Sequence, residues 1–220
     1  MKLLLSLLIT LSVVGCHYKA GNTGTGTKLK DTIIKHDTIY ITDNKDQHWQ
    51  DNAGFNLTHE PDRDSIWGKP VSYYLNDPEC VSIAFEFYYG YFRPTDNGAT
   101  DELLKYATTS NKKLRPFYRW CLDKTIEISD GALSEHVGTP AINYVEKYPK
   151  EFLEFIDSDT SKTRYDNWTS AIAYSGFDTN NPKDQAQQTK AFLNTMKKNC
   201  VNCDAVTLQR IEKLAKDCHE

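Results

Sequence analysis

The chain has 220 residues, 26 basic against 30 acidic side chains for a formal net charge of −4, and a 39% share of hydrophobic residues. That length suffices for one well-filled core plus a tether. The mild acidity argues against a nucleic-acid partner, which calls for a basic face, and the interleaved charges read as an ordinary solvated surface.

The first sixteen residues are unlike the rest. Lys2 gives a positive start, residues 3–14 form an apolar run broken only by small hydroxyl side chains, and Val13-Val14-Gly15-Cys16 closes it. The run is shorter than the roughly 20 residues a membrane span needs and fits the core of a secretory signal. This stretch resembles the signal peptide of a bacterial lipoprotein of the Bacteroidetes type, with Val-Val-Gly-Cys as its lipobox. The resemblance implies cleavage before Cys16, acylation of its sulfur and amine, and attachment to the membrane through that lipid anchor. Two or three acyl chains hold stably where one is marginal. It also implies an outer-membrane lipoprotein of the cell envelope. Some lipoproteins of that group reach the cell surface using acids just after the cysteine. Here His17-Tyr18-Lys19-Ala20-Gly21-Asn22 contains none, so the expectation is a periplasm-facing domain.

Residues 16–60 read as the lipidated tether. Gly21-Asn22-Thr23-Gly24-Thr25-Gly26-Thr27 is low-complexity linker, and as a flexible coil residues 17–60 span about 35–40 Å root-mean-square. Residues 31–41 are rich in β-branched side chains, but a strand without a partner has no ladder to join. The Asp-Thr-Ile triplets at Thr32 and Thr38, with Asp64-Ser65-Ile66, resemble the Asp-Ser/Thr-aliphatic acceptor for O-glycosylation of exported Bacteroidetes proteins. Plain β-propensity accounts for the same residues.

Residues 61–220 are expected to form an all-α domain, a compact bundle of seven or eight helices, with residues 60–76 as loop. Asp77-Pro78 opens a helix that ends at Gly90, and Thr100 caps residues 101–108. A longer helix covers about 114–128 with Pro116 in its first turn. Thr139-Pro140 starts the next, and Pro149 forces a new helix after Tyr148. Residues 163–175 follow, stopped by Gly176. Pro182 begins a helix that pairs antiparallel with a last one capped by Asp204.

The motifs with chemical content are few. Cys200-Val201-Asn202-Cys203 lacks the histidine that would follow it in a c-type haem site. Cys218 lies about 20 Å up the last helix, too far to complete a zinc set. The pair also lies between helices rather than after a strand, so a structural Cys200–Cys203 disulfide is expected, permitted outside the cytoplasm. Cys218 then pairs with Cys80 or Cys121 or stays a buried thiol. Ser134-Glu135-His136 groups reactive types that do not face one another on a helix. Glu127-Ile128-Ser129 resembles lysozyme-like enzymes around their catalytic glutamate, but the Gly-rich motif that follows there is absent. The acids at Glu151, Glu154, Asp157 and Asp159 lack the spacing of a calcium loop and read as a solvated face. No pattern points to a metal, a cofactor or a catalytic residue.

One stretch invites binding. Tyr88, Tyr89, Tyr91 and Phe92, with Phe85 and Phe87, place aromatic rings at every angle of a helix. Either that helix is central and surrounded, the favoured reading, or part of the set forms an exposed patch. The functional expectation is a non-catalytic helical domain that binds a partner protein, an immunity protein against an envelope-acting toxin being one version. A glycan-binding lipoprotein is the alternative, and an envelope-acting hydrolase stands third.

Overall fold

The structure, a computed structural model, describes residues 65–176 and 182–218. It is predominantly α-helical, with nine α-helices and a single two-stranded sheet among the described residues. A hairpin of β1 (Ser65–Ile66) and β2 (Lys69–Pro70) leads into α1 (Ser72–Leu75), α2 (Ser82–Tyr89) and α3 (Gly98–Lys105). Then follow α4 (Arg115–Glu127), α5 (Gly131–Lys147), α6 (Pro149–Asp157), α7 (Arg164–Gly176), α8 (Pro182–Asn199) and α9 (Ala205–Asp217).

The central element is α4, not the aromatic helix α2. Every residue of α4 from Phe117 to Ile126 is buried, including Arg119, Asp123 and Lys124. A helix buried all round must sit inside the bundle, and its charged residues must find partners there. The α2 helix buries only one side, through Ala84, Phe87 and Tyr88, and lays it against α4, where Tyr88 and Phe87 meet Trp120 at 5.9 and 5.8 Å between ring centroids.

Proline and glycine punctuation is obeyed at several boundaries. Pro116 lies in the first turn of α4, Pro149 opens α6 with Tyr148 as its cap, and Gly90 ends α2 in the left-handed conformation at φ 79°. Three expected starts are corrected. Asp77 accepts the backbone N–H of Glu79 at 2.9 Å and pairs with Lys113 at 2.7 Å, so it closes a turn, and α2 begins only at Ser82. Asn97, not Thr100, caps α3 by accepting from Ala99 N and Thr100 N, while the Thr100 hydroxyl donates to Thr95 O at 2.6 Å. Pro140 lies inside α5 rather than at its start, because Val137, Ala141, Tyr144 and Val145 all bury on one face and packing outweighs one missing N–H. The segment read as loop carries the hairpin and α1.

The last pair matches expectation. The Cys200–Cys203 disulfide, with Cα atoms 5.6 Å apart, closes the turn between α8 and α9, and Lys197 Nζ meets Glu212 Oε1 at 2.5 Å across the two arms. The Asp204 carboxylate accepts from Thr207 N at 2.7 Å. Thr207, through its hydroxyl and its backbone N–H, holds that carboxyl below the ordinary carboxylate value. Asp204→Ala is therefore expected to lower the melting temperature at neutral pH. The difference from wild type disappears as pH falls through the depressed value, which thermal melts of both proteins across pH 3–7 will check.

Candidate functional site

Ser65 pairs with Pro70 and Ile66 with Lys69, leaving Trp67 and Gly68 as the two turn residues at φ 52° and 69°. Two positive φ values in a two-residue hairpin are ordinarily met by Asn-Gly or Gly-Gly. A bulky tryptophan there is strained, and strain of this kind concentrates at functional positions. Ile66 is buried, and the Tyr74 hydroxyl donates to Ile66 O at 2.7 Å, tying the hairpin to α1. Burial pushes that tyrosine up to about 12, so it stays a donor. Trp67 itself remains 42% exposed.

Beneath Trp67 lies a chain of charges along α4. Arg115, Arg119 and Asp123 recur every four residues and so share one helical face. The Arg115 Nε and Nη2 atoms donate to Glu151 Oε2 at 3.0 and 2.8 Å. Arg119 Nη1 donates to Glu151 Oε1 at 3.3 Å and to the Tyr144 hydroxyl at 3.1 Å, and that hydroxyl donates to Glu151 Oε1 at 2.9 Å. Asp123 accepts from Trp168 Nε1 at 2.7 Å and from Arg164 Nε at 3.2 Å. The Arg119 guanidinium carbon lies 4.4 Å from the Trp67 ring centroid and 4.2 Å from that of Phe155, while Arg164 stacks on Phe155 at 4.2 Å. Guanidinium planes stack on rings in this way and keep their edges for hydrogen bonds. Burial drives the Tyr144 hydroxyl far above its ordinary value, so it stays protonated within the network.

Trp67 lines two hollows. The inner one, about 270 Å³, is lined by Ser65, Arg119, Trp120, Phe155, Ser158 and Arg164. The outer one, about 630 Å³, is shallower and runs past Tyr148, Glu151, Lys147 and Asn199 to Val201. Both include Trp67 and Pro116, so the two hollows adjoin at the indole, and the Trp67 groove is the pair of them.

The residues singled out by sequence fall elsewhere. Cys16, Thr32 and Thr38 lie outside the described residues, and Ser65 is exposed on β1 at the groove's wall. Tyr88 is buried at 3% exposure, Phe92 and Tyr91 are half-buried, and Tyr89 faces solvent, stacked on Tyr91 at 6.3 Å. Ser134 donates to Asp130 O in its own helix at 2.7 Å. The His136 ring is held by Asp101 at 2.7 Å on Nδ1 and Asp96 at 2.5 Å on Nε2, so the serine and histidine do not form a relay. Among the described residues no group of His, Cys, Asp and Glu is arranged to hold a metal. Cys80, Cys121 and Cys218 are free thiols. Burial pushes Cys80 up to about 11 and Cys218 up to about 12, and it raises Cys121 well above the ordinary thiol value, so all three are protonated at neutral pH. Glu151 is not part of a solvated face: it is the shared counter-charge of two buried arginines.

The two aspartates raise the His136 pKa above its ordinary 6.5, Asp101 most. A raised folded value means that the clamp between α5 and α3 stabilises fully below about pH 6.5. Its contribution is lost as pH rises through the raised value. Urea unfolding of wild type and His136→Gln is expected to differ at pH 6 and to converge on raising the pH.

No protein-family model, no curated protein and no solved structure matches this chain. The groove's chemistry alone therefore carries the functional reading.

Proposed function

We propose that the chain is a lipid-anchored, non-catalytic binding protein of the bacterial envelope. Its helical domain presents the Trp67 groove to a polar ligand, with a glycan favoured. The anchor is supported by residues 1–16, where the short apolar run ends in Gly15-Cys16. The observation that carries the binding reading is Trp67, an exposed indole in a strained backbone conformation, braced from below by Arg119. Exposed aromatic rings set among polar groups suit stacking on a sugar or another flat polar ligand. The other exposed large apolar side chains among the described residues are Tyr73, Tyr89, Tyr174, Val201 and Val206. They lie on different elements, with Tyr89 packed beside Phe85 and Tyr91.

A partner protein is the second reading, favoured by one feature: Val201, 72% exposed, at the far end of the outer hollow. Affinity capture from the native envelope tests both, using wild type, Cys16→Ala and Trp67→Ala. Loss of retained glycan with Trp67→Ala is the expected result. Retention of a protein unaffected by that change, but lost with Val201→Asp, would favour the second reading. Equal membrane association of wild type and Cys16→Ala would remove the anchor.

A further inference from the structure

The inner hollow has a property that ordinary packing does not explain. Two buried donors with no acceptor, Arg119 Nε and Trp120 Nε1, belong to residues that line it. Arg119 is 1% and Trp120 2% exposed. Nearly all buried N–H groups in folded proteins are paired, so two orphans on one small hollow are a departure that needs a cause. The faces of the Arg119 guanidinium are covered by Trp67 and Phe155, and Nη1 is committed to Tyr144 and Glu151. Among the described residues nothing accepts from Nη2 either. What Arg119 offers is the edge formed by Nε and Nη2, the side-on fork that carboxylates take in pairs of parallel hydrogen bonds.

The fork is what a planar carboxylate meets with two parallel hydrogen bonds. Arg115, Arg119 and Arg164 are joined to Glu151 and Asp123, and Asp159 accepts the backbone N–H of Arg164 at 3.0 Å, so a carboxylate is called for by the unpaired donors rather than by a missing charge.

We infer that the inner hollow binds the carboxylate of an acidic sugar, a uronate. The carboxylate accepts from Arg119 Nε and Nη2 and from Trp120 Nε1–H, and the sugar ring lies against Trp67. The Ser65 side chain lies in the same wall within reach of a sugar hydroxyl, the Ser158 hydroxyl already donates to Phe155 O at 2.7 Å, and about 270 Å³ suits one small ring rather than a long chain. This assignment rests on the reading of the Trp67 groove as the ligand site.

The test is calorimetric titration of the full chain with glucuronate, glucose, acetate and inorganic phosphate. Glucuronate is expected to bind at least about tenfold tighter than any of the other three, since only it brings both the charge and the ring. Trp120→Phe, which removes one donor and keeps the ring, is expected to weaken glucuronate by about tenfold. Arg119→Lys, which keeps the charge and removes the fork, is expected to do the same. Far-UV dichroism and melting of each variant show whether it is folded, and the ligand panel on wild type decides even where a variant is not. Glucose as tight as glucuronate would overturn the carboxylate, acetate as tight would overturn the sugar, and phosphate tighter than all would overturn the planar monoanion. If no uronate binds while Trp67→Ala still abolishes glycan retention from the envelope, the groove remains the site and the carboxylate assignment falls.

Discussion

Glu151→Gln is expected to destabilise the domain by about 3 kcal/mol, because it leaves two buried guanidinium groups without their counter-charge. Glu151 receives Arg115, Arg119 and the Tyr144 hydroxyl together. Glutamine keeps the shape but offers one neutral acceptor and an unwanted donor. At 22% side-chain exposure, water reaches the site enough to hold the loss near the low end for broken buried pairs. Each kcal/mol shifts melting by about 2–4 °C in a domain of this size, so a fall of roughly 6–12 °C is expected. The ion pair of Asp157 with Arg210 is the control. Both side chains are well exposed, at 57% and 39%, and Asp157→Asn is expected to change stability by less than about 1 kcal/mol. Equal effects of the two changes would show that α4 is not held by its charges.

Trp168→Ala is expected to cost more, about 4 kcal/mol from the lost ring and the cavity left behind. Trp168 is fully buried. Its ring meets Phe152 at 5.1 Å, Tyr144 at 5.8 Å and Phe155 at 6.0 Å, so it joins α7 to α5 and α6. Its indole N–H also donates to Asp123. Trp168→Phe separates the two contributions. It retains most of the packing and leaves a buried carboxylate short of one donor, an expected loss of about 1–3 kcal/mol. Denaturant unfolding of the two variants beside wild type measures both figures. If Trp168→Phe were neutral, the bond to Asp123 would carry no weight.

The helices with chemical punctuation were legible in the sequence. Pro116, Pro149, Gly90 and Asp204 act through their own backbone or their nearest neighbours, and local rules suffice for them. The Cys200–Cys203 bridge is legible for the same reason, since three residues of separation and a turn between helices bring the two together. Pro140 misleads because α5 is held by Val137, Ala141 and Tyr144 packing on distant elements, which no local rule sees.

The candidate site was not legible. Arg119 looks like any helix-surface charge until α6, more than thirty residues away, brings Glu151 against it. The run from Glu151 to Asp159 has the composition of a solvated face, and only its packing against α4 turns its first member into a half-buried counter-ion. The hairpin was missed because strands of two residues show no alternation. The remaining signal was Trp67-Gly68 itself, a dipeptide in the place where a hairpin turn expects Asn-Gly. Conversely, the aromatic residues 85–92 stand out by composition, yet Phe87 and Tyr88 serve the seam between α2 and α4. Composition marks where rings are plentiful. It does not say which one is held out to solvent.

The central claim is that a ligand meets this domain at Trp67. A photoreactive phenylalanine analogue placed there in the full chain, in the native host, tests it most directly. Tyr174, 61% exposed on α7, serves as the control position. Adducts are expected from position 67 and not from 174, suppressed when Trp120→Phe is added. Adducts from 174 alone, or equal yields from both positions, would contradict the account.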